Sequence, residues 1–422
     1  MPEPKQAQNL REAFNAFDPT HPLTGEFYDA FYVKRPVGIK RLINDIRDDD
    51  RSSPKWLFTG HRGSGKSTEL IRLAEALQDH YFTLYFTVED VLDMADVDYK
   101  DVILALGSQL YQTSKDKGIK LPEDLLGELV GWFSTTLEEI EDATERGAGV
   151  EAQADFWFIK LLGKVKSETK TRQVVRREME SNLSDLLVCV NDIIEAIAKE
   201  AGRPLLAVVD GLDKIWDLDK AKQIYHTGGM NLLMPRCKVV YTVPLALFYA
   251  QEFGQVRVTF DGTFTLPNVK VNDRHGQAHE PGRAVLRDLI TRRMQPDLIA
   301  ADACERLVEL SGGVLRELVS LAKDACSNAR AQDHAKIEVE DVERAASQVR
   351  NLYRTMLTRG QFKALWQVHS SRTKQPADNA QAEQLVHNLS LLGYMNDESW
   401  WDVHPVVLPL LQERADEWAN ES

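Results

Sequence analysis

Gly60-His61-Arg62-Gly63-Ser64-Gly65-Lys66-Ser67-Thr68 is the stretch from which the fold of this chain can be read. Immediately before it, Lys55-Trp56-Leu57-Phe58-Thr59 is apolar, aromatic and β-branched, and stops at a glycine, which predicts a short buried strand. Immediately after it, Glu69-Leu70-Ile71-Arg72-Leu73-Ala74-Glu75-Ala76-Leu77 repeats its apolar residues at helical spacing with no breaker. Strand, glycine-rich turn and helix in that order form a phosphate-binding loop. Gly60, Gly63 and Gly65 let backbone N–H groups approach phosphate oxygens, with His61, Arg62, Ser64 and Thr68 completing the cradle. The helix start adds unsatisfied donors and a partial positive charge. Lys66 is placed to reach the β- and γ-phosphates, and the Ser67 hydroxyl to ligate Mg²⁺. The loop predicts a bound nucleotide.

A second chemical landmark lies further on. Pro204-Leu205-Leu206-Ala207-Val208-Val209 is a continuous apolar run, the pattern of a central parallel strand covered on both faces. It ends in Asp210-Gly211-Leu212-Asp213, at the strand end where open α/β sheets place their ligands. Asp210 is therefore expected to hold Mg²⁺ through water, opposite Ser67. Asp213, one short turn on, is expected to orient the attacking water.

Composition bounds the remainder. A chain of 422 residues predicts about three domains. A hydrophobic content of 43% with 27% charged residues is that of an ordinary globular protein. The net charge of -14 argues against a surface that coats nucleic acid broadly. The four cysteines lie far apart without C-x-x-C spacing, which fits buried thiols in a reducing cytosol. No signal-peptide pattern and no run of membrane-spanning length is present, so a cytoplasmic location is expected.

The order of elements predicts an α/β protein: a parallel-sheet P-loop core, an all-helical lid and a C-terminal winged-helix domain. The expected divisions are an N-terminal arm (1–26), the core (27–272) with a helical insertion at about 115–200, the lid (273–350) and the winged helix (351–422). Further strands are expected at Tyr81–Val88, Lys238–Val243 and Phe264–Val271, and a helix at Pro244–Gln255. Within the insertion, Phe156–Leu162 leads into Lys164, Lys166, Lys170, Arg172, Arg176 and Arg177. That run reads either as a recognition surface for nucleic acid or an acidic partner, or as a solvated helix face. Leu391–Asn396 and Trp400–Val403 predict the two strands of the wing, ending at His404-Pro405.

An apolar strand ending in Asp-Gly-Leu-Asp resembles the acidic motif of STAND ATPases, which include NACHT and NB-ARC proteins. Gly211 stands where ordinary AAA+ motors carry a catalytic glutamate, so slow turnover is implied. The Ser311-Gly312-Gly313-x-x-Arg316 pattern resembles the sensor-two helix of replication-initiator-type AAA+ lids, implying that Arg316 points back to the phosphates. The aromatic lead-in Phe27–Arg35 resembles the segment that lies against adenine in these families, making Tyr32, Val33 and Arg35 base-site candidates. By the same resemblance Thr242 takes the sensor-one position, or is simply a strand residue. Arg257 stands near the place of an arginine finger, although STAND proteins generally lack one. His404 resembles the wing histidine that contacts the β-phosphate of ADP, or else caps the following helix.

Two functions are implied. In the first, the chain binds ATP or ADP with Mg²⁺ as a slowly hydrolysing switch that forms a homo-oligomer and controls a separate partner or effector protein. In the second, it is a DNA-associated initiator or loader ATPase acting through the winged helix or the Lys164–Arg177 stretch.

Overall fold

The computed structural model describes residues 4–138, 163–395 and 399–415. Five parallel strands form the central sheet in the order β2-β3-β4-β1-β5. They are β1 (Lys55–Gly60), β2 (Phe82–Thr87), β3 (Leu205–Asp210), β4 (Lys238–Thr242) and β5 (Gly262–Leu266). Every residue of β1 and β3 is buried, including the polar Lys55, Thr59 and Asp210. Alternation sorts the side chains. Trp56, Phe58, Leu206 and Val208 pack with Leu70 and Leu73 on one face. Leu57, Ala207 and Val209 pack on the other with the long helices described next. The chain passes from β1 to β2 across the positions of β4 and β3, which leaves a crevice at the carboxyl ends of these strands.

Helix α1 (Leu10–Ala16) lies in the N-terminal arm, followed by α2 (Gly25–Phe31), α3 (Lys40–Asp48) and the loop helix α4 (Lys66–Ala76). Helix α5 (Tyr99–Asp116) starts at an Asp98 capping box. It packs against α7 (Thr169–Ala201), with α6 (Glu123–Glu138) beside it. The lid consists of α9 (Glu280–Arg293), α10 (Ala301–Leu310), α11 (Leu315–Ala331) and α12 (Val339–Met356); α8 (Phe253–Thr259) precedes β5. The winged helix holds α13 (Arg359–Ser370), α14 (Asn379–His387), the antiparallel pair β6 (Leu391–Met395) and β7 (Ser399–Val403), and α15 (Leu408–Gln412).

Several expectations are corrected. The arm is part of the lid's core: Ala7, Leu10, Ala13 and Phe17 are buried among lid residues. Helix α12 runs through the 350/351 division without a break, so lid and winged helix share one rod. The helix expected over 244–255 is a 3-10 turn at Leu245–Tyr249 followed by α8, because the turn packs into the core of the winged helix. Strand β5 stops at Leu266, since Pro267 offers no N–H to a ladder. Arg257 lies exposed on α8.

The basic stretch is corrected most. Arg172 is 2% exposed and donates to Asp93 and Asp96 at 3.0 and 3.1 Å. Arg176 pairs with Asp96, Asp98 and the buried Asp101. Lys166 donates to the carbonyls of Glu89 and Asp90. These cations clip α7 to the segment after β2, whereas Lys170 and Arg177 remain exposed. Phe156–Leu162 lies outside the described residues. Replacing Arg176 with leucine strands Asp101, so an expected loss of about 3 kcal/mol should appear in chemical denaturation, with no change in any DNA retardation.

Candidate nucleotide site

The loop between β1 and α4 is held from three sides. From behind, the Arg35 guanidinium donates to Ser64 O at 2.8 Å and Pro267 O at 2.5 Å. Arg35 lines the cavity described next, and these hydrogen bonds also make it a brace for the loop; its Nε has no partner among the described residues. From the lid, Arg316 N donates to Gly63 O at 3.0 Å. Gly63 has φ +82°, and a Cβ there would stand 2.7 Å from Arg316 Cβ, so the lid's close approach requires glycine. From the wing, Gly393 N donates to His61 Nε2 at 2.7 Å. Tyr394, next on β6, donates its hydroxyl to Gly312 O at 2.8 Å. One wing strand thus touches both the phosphate loop and the turn that delivers Arg316.

A cavity of about 1030 Å³, counting its open mouth, lies over the loop. Gly63, Gly65, Lys66, Ser67 and Thr68 form its floor, and Leu315, Arg316 and Val319 its lid side. Phe31, Tyr32 and Val33 close the far end with Leu289 and Arg293. Asp18–Leu23 completes the wall, which the sequence did not signal beyond two X-Pro turns. This segment is tied down by Leu23 N donating to Thr68 Oγ1 at 3.1 Å. The Tyr32 ring faces the cavity while its hydroxyl donates to Glu69 at 2.9 Å.

Lys66 is 5% exposed, and its ammonium has three acceptors: Gly60 O at 2.9 Å, His61 O at 2.8 Å and Asp213 Oδ2 at 2.8 Å. All three N–H bonds are used, so a phosphate reaches Lys66 by displacing at least one of these partners. Asp210, 1% exposed, accepts from Gly211 N at 2.7 Å and Tyr85 Oη at 2.9 Å, with the Ser67 hydroxyl nearby. Burial and the neighbouring Asp213 push the Asp210 carboxyl above the usual carboxylate range. A bound divalent cation reverses that preference. Among the described residues no group of three or more acidic, His or Cys side chains is placed to hold a metal ion by itself. That suits Mg²⁺ bound through one or two protein oxygens, phosphate and water. The Ser67 and Asp210 oxygens fit that ion, which would supply charge neutralisation for the phosphates.

Six expected site residues do not line this cavity: Gly60, His61 and Ser64 of the loop, Asp210, Thr242 and His404. The Thr242 hydroxyl is fully buried, accepting from Leu212 N at 3.0 Å and donating to Val209 O at 3.3 Å. It ties β4 to the Asp210–Asp213 turn, which replaces the expected phosphate contact. His404 is also fully buried, and its Nδ1 accepts from Val406 N at 3.2 Å, so it caps the turn that follows. The histidine of the winged-helix domain that lies near the loop is His387, at the end of α14. Its ring meets Trp216 edge-on at 5.1 Å, and the Arg62 guanidinium stacks over the same Trp216 at 4.8 Å.

Burial pushes His61 from 6.5 down to about 3, with Lys66 adding to the effect, and His404 down to about 4. The fold keeps both rings neutral, whereas the unfolded chain takes up protons below pH 6.5. Their contribution is therefore complete above pH 6.5 and is lost as pH falls toward about 4 for His404 and about 3 for His61. The melting temperature should drop between pH 7 and pH 5, and less steeply in His404→Asn; parallel curves would remove His404 from this account.

Strand order, loop and acidic turn define a P-loop nucleotide-binding fold with a helical lid and a winged helix. No protein-family model matches the sequence, and no curated protein matches it. Solved structures resemble the chain over most of its length. The Aeropyrum pernix ORC2 protein, solved as ADPNP–ADP complexes, is 11% identical, with 95% of this chain and 98% of that one covered and a TM-score of 0.42. For Cdc6p from Pyrobaculum aerophilum the identity is 10%, the coverage 95% and 98%, and the TM-score 0.39. The Thermotoga maritima RuvB Holliday junction branch migration motor is 14% identical, with 88% of this chain and 86% of that one covered and a TM-score of 0.34. Among the described residues no helix is long and apolar enough to cross a membrane.

Proposed function

We propose that this chain is an AAA+/STAND-type ATPase that binds ATP with Mg²⁺, hydrolyses it slowly and acts as a nucleotide switch for a partner protein. Lys66, Ser67, Asp210 and Arg316 bind the triphosphate and its ion, and Asp213 handles the attacking water. Gly211 in place of a glutamate supports slow turnover.

The observation carrying the switch reading is the wing's hold on the phosphate loop through His61 and Gly393. A triphosphate that rearranges the loop must alter that contact, so the position of the wing reports the nucleotide. The alternative, a DNA-bound initiator, uses the helix before the wing as its groove reader. Here that helix is α14, whose Leu385 and Val386 pack with Leu245 and Ala246, and whose Glu383 pairs with Lys222 at 3.1 Å. Between Asn379 and His387 it carries no lysine or arginine for backbone phosphates. Both features favour the switch.

Size-exclusion chromatography in ATP and in ADP, beside a duplex-DNA retardation series at rising salt, tests this. Nucleotide-dependent assembly without DNA binding is expected. A salt-sensitive DNA complex formed only with ATP would favour the initiator instead.

A further inference from the structure

A second, smaller cavity borders the phosphate loop and shares Asp213 with the first. His61, Asp213, Pro244, Leu245, Val386 and His387 line it, so the winged helix forms one of its walls. Three polar atoms on these residues are buried without any hydrogen-bond partner among the described residues: His61 Nδ1, Asp213 Oδ1 and His387 Nε2. Buried polar atoms are normally satisfied, and three orphans around one small space require a common explanation.

The chemistry of the orphans selects the occupant. His61 Nε2 accepts from Gly393 N, so the neutral ring carries its hydrogen on Nδ1, which is an unused donor. Asp213 Oδ2 pairs with Lys66, which leaves Oδ1 as an unused acceptor. Arg62 and Lys214 also line the space, but an ionised phosphate oxygen could not donate to Asp213, and an ammonium group could not accept from His61. The residues do not converge as a metal site. Water both donates and accepts. The space open to a water's centre is about 20 Å³, and one buried water needs roughly 10–15 Å³ and two to four partners.

Resting on the reading of the chain as an ATPase, we propose that His61, Asp213 and His387 hold the water that attacks the terminal phosphate, and that the winged helix completes this catalytic site. Asp213 Oδ1 takes a proton from the water as its oxygen bonds to the terminal phosphorus. The bond from that phosphorus to the bridging oxygen breaks, ADP leaves with the electron pair, and Asp213 returns the proton to solvent. The Asp213–His61–His387 set takes the place of the glutamate that Gly211 does not supply. Hydrolysis then requires a docked winged-helix domain, because His387 ends its helix α14.

The test compares His387→Gln with His387→Asn in the full-length protein. The glutamine amide reaches the place of Nε2 and the asparagine amide does not, while both are polar and uncharged. Steady-state ATP turnover and the affinity for a fluorescent ATP analogue are measured for each. The expected result is turnover about tenfold lower in the asparagine variant than in the glutamine variant, the loss of one hydrogen bond to the water, with affinities within twofold. Equal turnover, or affinity falling in step with turnover, overturns the proposal. If the unaltered protein binds the analogue but does not hydrolyse ATP, the ATPase reading itself fails; if it hydrolyses ATP and the two variants match, only the water site fails.

Discussion

Lys66→Ala should lower ATP affinity about a hundredfold, the scale for removing one partner of a buried, hydrogen-bonded charge pair. The same change should also destabilise the fold. Among the described residues Lys66 is the one ion-pair partner of Asp213, whose side chain is 5% exposed. Without it a carboxylate stands buried beside Asp210, another carboxylate 1% exposed. The two effects separate in the double variant. Adding Asp213→Ala removes the stranded charge, so the melting temperature recovers while the affinity does not. Calorimetric titration with ATP and thermal unfolding of the three proteins check both halves. Unchanged affinity in Lys66→Ala would show that the loop does not hold the triphosphate.

Gly313→Ala is expected to be the most damaging single methyl group in the lid. Gly313 has φ +79°, and a Cβ there would lie 1.7 Å from the Val269 carbonyl oxygen. Neither the strained backbone nor the main-chain oxygen can yield cheaply, and together they should cost about 3 kcal/mol. Gly312 offers a contrast. Its φ is +56°, but the first atom a methyl would meet is the Leu392 side chain at 2.5 Å, which can move. Gly312→Ala should therefore lose less. The functional effect follows the same order, since this turn sets Arg316 over the phosphate loop. Melting temperature and ATP affinity should both fall further in Gly313→Ala than in Gly312→Ala. A reversed order would mean that the turn can shift as a unit.

The core was legible because its signals are local. An apolar β-branched run, a glycine turn and a helical repeat are contiguous around Lys66, and short-range sterics and burial decide each of them. The tip of β3 was legible for the same reason, and the two glycines before Arg316 marked a turn that only positive φ permits. The basic run misled because the sequence shows charge and not what faces it. Asp93, Asp96, Asp98 and Asp101 lie some eighty positions away and come to Arg172 and Arg176 through the packing of α5 on α7. Thr242 and His404 misled in a related way. Each has the residue type of a phosphate contact, but backbone groups use Thr242 Oγ1 and His404 Nδ1, while His404 Nε2 is buried without a partner among the described residues.

By itself the sequence determined that this chain carries a strand, a phosphate loop and a helix, with an acidic strand end to match. Those features depend on neighbouring residues, and neighbours are what a sequence lists. Only the tertiary structure decided that the wing's Gly393 meets His61, that Asp213 pairs with Lys66, and that His387 lines the small cavity beside them. These contacts join residues up to 332 positions apart. Their existence depends on how lid, core and winged helix bury their shared apolar faces, and hydrophobic burial has no direction that a local pattern could record.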